Sequence, residues 1–543
     1  MSALTDLLFP DPLPPVEELE ARYPARSLPQ GAKVTRVAPS PTGYMHIGTM
    51  YTGLVCERLA HQSGGVFILR IEDTDQKRQI AGATELIASS LDEYGLKIDE
   101  GVCPDMSQKG NYGPYIQSQR KEIYQAYVKK LVEEGKAYPC FCTAEDMDAL
   151  RKQQEASGAR PGYHGQWTKC RYLNEEDVIR KIKEGIPYVI RFKSEGDYNR
   201  RIVIEDVLRG KRDFPENDLD IVLLKSDGLP TYHFAHVVDD HLMGTNQVIR
   251  GDEWVSSLPL HIQLFAAMGW KTPKYGHLAP IQKMDDGAKR KLSKRKDPEA
   301  GMAFYDEQGY PKQAVLEYLL NIANSNFEDW RRQNPVKPMN DFPFSLKKMG
   351  ISGALMDFVK LNSVSRDTIA HMTAEEVYNN ALTWAEKYDE ELFCLMKDNR
   401  DYVLAILNIE RNPSGKGRKD IQVWAQLKEE LSYFFEDKFQ ETVPALDKKN
   451  AALIARGFLA VYDPADDKDT WFEKLKTVAL ENGYAGSTKE YKEAPDKYKG
   501  NISDAATILR MLVTGRSQSP DLFAIMQVLG KERVTARLKK AFS

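Results

Sequence analysis

Residues 33–71 constrain the fold more than any other part of the chain, because strand, helix and strand signals follow one another closely. Residues 33–37 form a β-branched run typical of a buried strand, and residues 39–43 form a turn rich in proline and glycine. Apolar residues then recur at the spacing of an amphipathic helix, at Ile47, Tyr51, Leu54, Val55 and Leu59. Gly64 and Gly65 end that helix before the apolar run at 66–71. This order predicts a parallel βαβ unit of a Rossmann-type α/β sheet.

The rest of the chain predicts an insertion within this sheet and helices after it. Further strand signals occur at residues 221–224 and 248–250, and the stretch before them is charged and contains a cysteine cluster. From residue 300 onward the pattern is helical, starting with an apolar stripe at Val315, Leu316, Leu319, Leu320 and Ala323. A chain of 543 residues is expected to form several domains. We divide it into an N-terminal extension (1–32), two halves of a Rossmann-type domain (33–130 and 213–298), an inserted domain (131–212), a helical domain (299–369) and an all-α C-terminal region (370–543).

The composition predicts a cytoplasmic protein. Hydrophobic residues make up 42% of the chain, and no apolar run approaches the roughly 20 residues that a membrane-spanning helix needs. The first 30 residues are acidic and proline-rich, unlike a signal peptide, and we expect residues 1–32 to lie extended on the surface. Six cysteines in so long a chain do not indicate a disulfide framework. The net charge of −4 does not exclude a nucleic-acid partner, because local basic stripes hold phosphates.

The turn and helix start at residues 41–49 predict a nucleotide-phosphate site. Ligands bind at the carboxyl edge of such sheets, where a helix N-terminus offers backbone N–H groups and a positive dipole end to anions. His46 adds a donor there, and glycine at positions 43 and 48 allows a nucleotide to approach the backbone closely. The same residues would also suit a plain turn with a histidine that caps the helix, since short motifs have many false matches.

Residues 289–297 (KRKLSKRKD) form a second candidate, a basic loop after the second half of the sheet. Taken alone, this run is typical of a solvated charged surface. In combination with the first segment, at this order and distance, it resembles the second signature of class I aminoacyl-tRNA synthetases. The resemblance implies a loop that closes over ATP, with lysines that stabilise the charge developing on the α-phosphate as diphosphate leaves.

Longer motifs resemble the bacterial type of the glutamyl-tRNA synthetase family. The similarity covers the chain from residue 33 to its end and is carried by RVAPSPTGYMHIG (36–48), RIEDTD (70–75), GPY (113–115), QS (117–118), PTYH (230–233), VVDDH (237–241), VIRGDEW (248–254), LVTGR (512–516) and VLGKER (528–533). It implies ATP-dependent ligation of L-glutamate to the 3′ end of tRNA(Glu) through glutamyl-adenylate, with release of AMP and diphosphate. Whether tRNA(Gln) is also charged stays open.

The resemblance also implies roles for individual residues. The side-chain carboxylate of glutamate is assigned to Arg36, Tyr232 and Arg250, and its ammonium group to Ser40 and Glu72. A guanidinium fork suits a carboxylate, and Arg250 would reject the amide of glutamine; a structural ion pair is the alternative for Arg250 and Glu72. The ATP site is assigned to His46, Gly48, Thr49, Lys291, Ser293 and Lys294, of which His46, Lys291 and Lys294 are the catalytic candidates. Mg²⁺ is implied by the ATP chemistry and is expected on the phosphates.

The inserted domain is implied to grip the acceptor end of the tRNA, and its cysteines resemble a zinc site. Cys140, Cys142 and Cys170 offer three thiolate ligands, and we assign the fourth to Tyr172. Tyr163 and His164 compete for that fourth place, and three cysteines that merely lie near one another remain the alternative.

The helical domain at 299–369 is implied to contact the tRNA stem, and the region at 370–543 to read the anticodon. Local basic residues there suit phosphate contacts, although each also suits a solvated face: Arg411, Lys416, Arg418 and Lys419. We expect a monomer.

Three other interpretations remain. A glutaminyl enzyme is disfavoured by Arg250, and a shortened glutamyl paralogue that modifies a tRNA base is disfavoured by the long helical region. A small nucleotidyltransferase would share the first segment but lack the glutamate pocket. A catalytically inactive RNA-binding relative is disfavoured because both ATP signatures are intact.

Overall fold

The computed structural model describes residues 3–293, 295–411, 417–440 and 447–542. The chain folds into two compact units. The first unit comprises Met1–Phe304, Leu316–Gln333 and Lys337–Met356, and the second comprises Tyr305–Val315, Asn334–Val336 and Asp357–Ser543. Within the described residues, no helix is both long enough and apolar enough to cross a membrane.

The strands are numbered here in chain order. They are β1 Val34–Val37, β2 Val66–Leu69, β3 Glu100–Val102, β4 Gln108–Lys109, β5 Ala137–Cys140, β6 Val189–Phe192, β7 Arg201–Asp206, β8 Gly210–Pro215, β9 Val222–Leu224, β10 Gln247–Gly251, β11 Lys274–Leu278, β12 Ile281–Asp285, β13 Ala288–Lys291 and β14 Ala354–Leu355.

The α-helices are numbered in the same way. They are α1 Ala3–Leu8, α2 Val16–Arg22, α3 Ile47–Gln62, α4 Ala83–Glu93, α5 Lys121–Glu133, α6 Ala144–Ala156, α7 Glu175–Lys183, α8 Tyr232–Leu242, α9 Leu258–Ala267, α10 Met302–Gln308, α11 Lys312–Ala323, α12 Phe327–Gln333, α13 Phe358–Ala370, α14 Ala374–Tyr388, α15 Glu390–Asp398, α16 Arg400–Leu407, α17 Leu427–Ser432, α18 Lys448–Val461, α19 Lys468–Glu481, α20 Thr488–Glu493, α21 Ile502–Thr514 and α22 Leu522–Lys540.

The parallel strands at the centre of the first unit, called the parallel sheet here, belong to two adjacent four-stranded groups, β1-β2-β3-β4 and β10-β11-β7-β8. The first group confirms the predicted βαβ start. Strand β1 pairs in parallel with β2, β2 pairs in parallel with β3, and β10 pairs in parallel with β11. Strand β10 runs beside β1, and the backbone N–H of Asn246 donates to the carbonyl of Val34 (3.2 Å). Helix α3 packs against β1 and β2, so the helix that starts at the predicted phosphate site is fixed on the sheet core.

One predicted strand belongs to a different sheet from the one expected. Residues 222–224 form β9, which pairs antiparallel with β6, and β6 pairs antiparallel with β5. The sequence prediction of residues 221–224 as part of the second half of the parallel sheet was therefore wrong. A strand of three residues carries no signal for its partner, and the antiparallel pairing with the insertion depends on long-range contacts.

The N-terminal extension differs from the extended segment that its prolines suggested. It contains α1 and α2, and its side chains contact β3, α5 and the end of α8. The guanidinium of Arg26 forms a bidentate ion pair with Glu100 (2.7 Å to each oxygen) and donates to the carbonyl of Met243 (2.8 Å). Glu20 accepts from the hydroxyl of Tyr127 (2.8 Å) and lies 3.0 Å from the imidazole of His241. The extension thus ties β3 to the end of α8.

The second unit is helical, as the sequence predicts for residues 370–543. Apolar residues of α13 to α19, α21 and α22, and of the segments between them, form one core that contains several large side chains, such as Trp424, Phe434 and Phe458. The N-termini of α14 and α21 are closed by capping boxes, in which Thr373 pairs with Glu376 and Asn501 with Asp504. The described residues therefore carry a continuous helical core from the end of α13 onward.

Candidate active site

A cleft of about 1090 Å³ opens at the carboxyl edge of the parallel sheet. Its wall is formed by residues that end or follow β1, β2, β10 and β11, together with the first turns of α3 and α8. This is the edge at which ligands bind in open parallel sheets. Most of the site residues assigned from sequence line this one cleft: Arg36, Ser40, His46, Gly48, Thr49, Glu72, Tyr232, Arg250 and Lys291.

The N-terminus of α3, where the sequence predicts a phosphate site, lines the cleft. The backbone N–H of Gly48 donates to Nδ1 of His46 (2.9 Å), so His46 caps the helix and also lines the cleft. A Cβ at position 48 would lie 3.0 Å from that same nitrogen, so a larger residue there would press on the imidazole. The two interpretations of this segment from sequence are thus compatible, because the helix cap presents the imidazole at the helix end that favours anions.

A closed network of buried charges lies below the cleft. Three guanidinium groups and three carboxylates take part: Arg36, Arg70, Arg120, Glu72, Asp239 and Asp240. Asp240 is central, because its carboxylate accepts from Arg36 (3.2 Å) and from Arg70 (2.7 Å). Burial alone would raise the pKa of Asp240, but the two guanidinium groups hold it well below its usual range. The network therefore balances three positive charges with three negative charges.

Arg36 and Glu72 belong to this network as well as to the cleft wall. Arg36 pairs with Asp240, and the guanidinium of Arg70 donates to Glu72 (3.1 Å). Burial raises the pKa of Glu72, with Arg70 and Arg36 acting against that rise. The structural ion pair considered as an alternative for Glu72 is therefore present, and any role toward an ammonium group adds to it.

Arg250 is the buried arginine of the cleft that lies outside the charge network. Its guanidinium donates to His277 Nε2 (3.0 Å), the Tyr232 hydroxyl (3.3 Å), His261 Nδ1 (3.1 Å) and the carbonyl of Trp254 (3.3 Å). Among the described residues, no carboxylate lies within the 4.0 Å of an ion pair with it. Its positive charge thus faces the cleft without a carboxylate partner, unlike that of Arg36.

The histidines around Arg250 are held neutral. Burial and the charge of Arg250 lower the pKa of His233 to about 4, and burial is the largest cause of the low pKa of about 3 at His236. Burial also lowers the pKa of His261 and of His277. Imidazoles that stay uncharged at neutral pH do not repel Arg250, and they can accept its hydrogen bonds.

The basic loop is described in part. Lys291 ends β13, lines the cleft and pairs with Glu253 (3.2 Å), with about half of each side chain exposed. The backbone N–H of Ser293 donates to Asp297 (2.7 Å), and Arg290 binds the same carboxylate (2.6 Å). Lys294, the third assigned lysine-loop residue, lies outside the described residues.

The three cysteines of the predicted zinc site lie together in the structure, and the phenol of Tyr163 lies next to them. The thiol sulfurs of Cys140, Cys142 and Cys170 lie within 4.8 Å of one another. The hydroxyl of Tyr163 lies 3.6 Å from the sulfur of Cys140 and 3.5 Å from that of Cys142. Tyr172, the residue assigned to the fourth place from sequence, is 73% exposed, whereas the phenol of Tyr163, one of the two alternatives, lies beside the sulfurs. Three thiols and a phenol around one point fit a tetrahedral zinc ion.

The basic residues proposed for phosphate contacts in the helical region are mostly engaged internally. Arg418 is buried and donates to Asp420 (2.8 Å), while Arg411 donates to the carbonyls of Leu407 (2.9 Å) and Ile369 (2.8 Å). Lys419 is half-exposed and paired with Asp367. Lys416 lies outside the described residues. Arg411 and Arg418 therefore hold the helices together, and we no longer assign them to a phosphate surface.

Sequence reasoning missed the residues behind Arg250. His261 and His277 are single histidines in apolar surroundings, and Asp206 ends β7, far from both in sequence, so nothing in the local pattern connects them. Asp239 and Asp240 did carry a signal, because two adjacent acidic residues inside an apolar helix must be buried with partners.

Comparison with known proteins agrees with this geometry. Residues 33–329 match the family profile of the catalytic domain of class I tRNA synthetases (E and Q), and residues 383–542 match that of an anticodon binding domain. The fold and the cleft are thus those of a class I aminoacyl-tRNA synthetase.

Relatives that match over the full length identify the family within this class of synthetases. The chain is 50% identical to a glutamate–tRNA ligase from Acetivibrio thermocellus, covering 99% of both chains. It is 47% identical to one from Sorangium cellulosum, over 96% of this chain and 97% of the relative. A crystal structure of a glutamate tRNA ligase from Elizabethkingia meningosepticum, in complex with its amino acid, matches with a TM-score of 0.74 at 28% identity, covering 94% of this chain and 99% of that one. The chain belongs to the glutamate–tRNA ligase family.

Proposed function

We propose that this chain ligates L-glutamate to the 3′ end of tRNA(Glu) at the expense of ATP. The observation that carries the proposal is Arg250, a buried guanidinium at the base of the cleft with no carboxylate partner among the residues described. The charges below the cleft balance one another, so Arg250 leaves an excess of one positive charge. The side-chain carboxylate of glutamate would neutralise it, whereas the amide of glutamine would not.

In the first step, an oxygen of the glutamate α-carboxylate attacks the α-phosphorus of ATP. The bond between that phosphorus and the bridging oxygen breaks, and diphosphate leaves with the electron pair, which yields glutamyl-adenylate. His46 and the N-terminus of α3 would bind the phosphates at one end of the cleft, together with Gly48 and Thr49. Lys291, Ser293 and Lys294 would close over the other side, where positive charge stabilises the transition state.

In the second step, a hydroxyl of the terminal adenosine ribose attacks the activated carbonyl, and AMP leaves. The chain would hold the adenylate during this step through the same contacts to its amino acid part. Tyr232 supports this role, since its hydroxyl accepts from Arg250 and so keeps its own proton for a ligand oxygen. Ser40 and Glu72, which also line the cleft, would receive the ammonium group. Arg36 would contribute its charge while it remains paired with Asp240.

Two metal ions would take part, of which only zinc would be held by a cluster of side chains among the described residues. Mg²⁺ would be held by the ATP phosphates themselves, because Asp75, Asp227 and Glu253 of the cleft wall are each paired with a basic side chain. In the inserted domain, zinc would be held by Cys140, Cys142, Cys170 and Tyr163 and would stabilise the insertion.

The remaining assignments follow from the family and complete the proposal. The insertion (131–212) would bind the acceptor end, residues 299–369 the stem and residues 370–543 the anticodon. The halves of the catalytic domain would be 33–130 and 213–298, and the extension (1–32) would tie them together through Arg26. We place the enzyme in the cytoplasm as a monomer.

ATP–diphosphate exchange tests the proposal most directly. We expect exchange with glutamate in the presence of tRNA and none with glutamine. Exchange with glutamine would remove the role given to Arg250. Exchange with neither amino acid, in the presence of tRNA and Mg²⁺, would refute the proposed activity.

A further inference from the structure

Arg250 is fixed by a layer of neutral imidazoles. Two of its four hydrogen bonds go to imidazole nitrogens, those of His277 (3.0 Å) and His261 (3.1 Å). Arg36, by contrast, is held by the carboxylate of Asp240. A carboxylate would fix an arginine equally well, but it would also cancel its charge. The imidazoles supply geometry and leave the charge in place.

The strand register produces this arrangement. Arg250 on β10 and His277 on β11 are direct partners in the parallel ladder, so their side chains lie on the same face of the sheet. Strand β11 also pairs with β7, where Tyr275 is the partner of Asp206. This pairing brings the Asp206 carboxylate to 2.5 Å from Nδ1 of His277. The three side chains therefore form a line, from Asp206 through His277 to Arg250.

The protonation of His277 follows from its two neighbours. The Asp206 carboxylate can only accept, and the pKa of Asp206 is lowered, since hydrogen bonds from His277 and two backbone N–H groups outweigh its burial. Nδ1 of His277 therefore carries the proton, and Nε2 presents a lone pair to the N–H of Arg250. The other oxygen of Asp206 accepts from the backbone N–H of Leu208 (2.8 Å) and of Arg209 (2.9 Å). These two hydrogen bonds hold the carboxylate in place.

We propose that Asp206 and His277 are positioning residues that orient Arg250 and set the preference of the enzyme for glutamate over glutamine. This inference rests on the proposed role of Arg250 as the ligand of the side-chain carboxylate. Asp206 fixes the tautomer of His277, His277 fixes the guanidinium plane, and the uncancelled charge selects the substrate. His261 supports the second nitrogen of Arg250 and donates its own proton to His233 (2.9 Å).

Asp206→Asn tests the hydrogen-bonded series from Asp206 through His277 to Arg250 with almost no change in side-chain volume. The Asn oxygen keeps the two backbone hydrogen bonds, so its NH₂ group faces Nδ1 of His277 and donates to it. His277 then carries its proton on Nε2, which faces the N–H of Arg250. Two donors oppose each other there, so the hydrogen bond between His277 and Arg250 is lost. We expect the KM for glutamate in ATP–diphosphate exchange with tRNA to rise about tenfold or more, because a hydrogen bond to a charged group is lost. The KM for ATP and kcat should change less than threefold, and the ratio of kcat/KM for glutamate over glutamine should fall.

Substitutions of His277 test whether Arg250 needs a hydrogen-bond acceptor at position 277. His277→Gln retains an oxygen acceptor for Arg250, whereas His277→Phe retains only the bulk of the ring. We expect the Gln variant to have a glutamate KM well below that of the Phe variant. The double variant D206N/H277Q should regain much of what D206N loses, because the amide can rotate to accept from Arg250. A purely structural role for Asp206 predicts no such recovery.

Two further variants distinguish an error in the positioning role of Asp206 and His277 from an error in the proposed role of Arg250. Asp99→Asn makes the same change at another aspartate that bonds a histidine, His61, away from the cleft, and should leave the glutamate KM unchanged. Arg250→Lys tests the proposed function itself. If R250K leaves the glutamate KM unchanged, the role of Arg250 is refuted. If R250K weakens glutamate but D206N does not, or if H277Q and H277F are equal, only the positioning role is refuted. If D206N fails to fold, the comparison of H277Q with H277F decides.

Discussion

Arg36 and Asp240 form an ion pair inside the first unit, with Nε of the arginine 3.2 Å from Oδ1 of the aspartate and both side chains buried. Asp240 also binds Arg70 (2.7 Å). One carboxylate thus compensates two buried guanidinium groups at the base of the cleft. The stability of the sheet and the shape of the pocket are therefore linked through Asp240.

Asp240→Asn is expected to destabilise the protein strongly. Removal of one partner leaves buried positive charge uncompensated, which costs roughly 3–5 kcal/mol in the free energy of unfolding. Urea unfolding of the full chain, followed by tryptophan fluorescence, would measure the change. Asp213→Asn is the matched control, because its pair with Arg201 is exposed and contributes at most about 1 kcal/mol. Equal decreases in the free energy of unfolding of the two variants would contradict the role of Asp240 as the carboxylate that compensates Arg36 and Arg70.

Arg250→Gln should weaken glutamate far more than ATP. The guanidinium is lost as a charged donor to the substrate carboxylate, and such hydrogen bonds contribute about 1.5–3 kcal/mol, so the glutamate KM should rise at least tenfold. Steady-state exchange with varied glutamate and varied ATP gives both constants. A glutamate KM within a factor of two of the unchanged enzyme would remove Arg250 from the pocket.

Lys291→Ala should slow adenylate formation. Its exposed pair with Glu253 is weak, so the ammonium group can move to ATP phosphates at small cost. Loss of one positioned cation at the transition state lowers kcat by about a hundredfold, with little effect on the glutamate KM. Lys289→Ala, two residues earlier on the exposed strand β13, is the control and should keep kcat. Similar kcat values for the two variants would remove Lys291 from catalysis.

The parts of the fold that depend on local pattern could be predicted, and those that depend on distant partners could not. The strand–helix–strand start and the helical region confirm their sequence patterns, because period and glycine placement are local properties. Strand β9 was placed in the wrong sheet, since three apolar residues do not specify a partner strand. The extension was predicted without helices because of its many prolines, although α2 begins directly after Pro15.

The residues of the candidate site also fall into two groups, those that local sequence predicts and those that only the fold brings together. His46, Glu72 and Arg250 lie in motifs that are contiguous in sequence, and they line one cleft. Asp206 and His277 are brought together only by the register of β7 and β11, and the sequence contains no signal for that register. Tyr163 and Tyr172 are both close to the cysteines in sequence, so only the fold of the insertion distinguishes them.

His61 should make stability depend on pH in the alkaline range. Hydrogen bonds to Asp99 and Glu57 raise its pKa to about 9 from an ordinary value of 6.5, although burial acts against the rise. The stabilisation by protonated His61 is therefore complete below pH 6.5 and is lost as the pH rises through 9. Thermal unfolding of His61→Gln and of the unchanged protein between pH 6 and 10 would measure it. We expect the Tm difference to be largest near pH 6.5 and to shrink above pH 9; a constant difference would contradict the assignment.

Zinc content should depend on Tyr163 and be independent of Tyr172. The hydroxyl of Tyr163 lies within 3.6 Å of two of the clustered sulfurs, whereas Tyr172 is 73% exposed. Purified protein, dialysed against a weak chelator, should retain about one zinc ion per chain by metal analysis, since three thiolates and a phenolate complete a tetrahedral set. Tyr163→Phe should lose zinc at lower chelator concentration, and Tyr172→Phe should match the unchanged protein. Cys170→Ser should lose the ion altogether. Equal retention by the two tyrosine variants would remove the phenol from the site, and a protein that never holds zinc would leave the cysteines as neighbours without a metal.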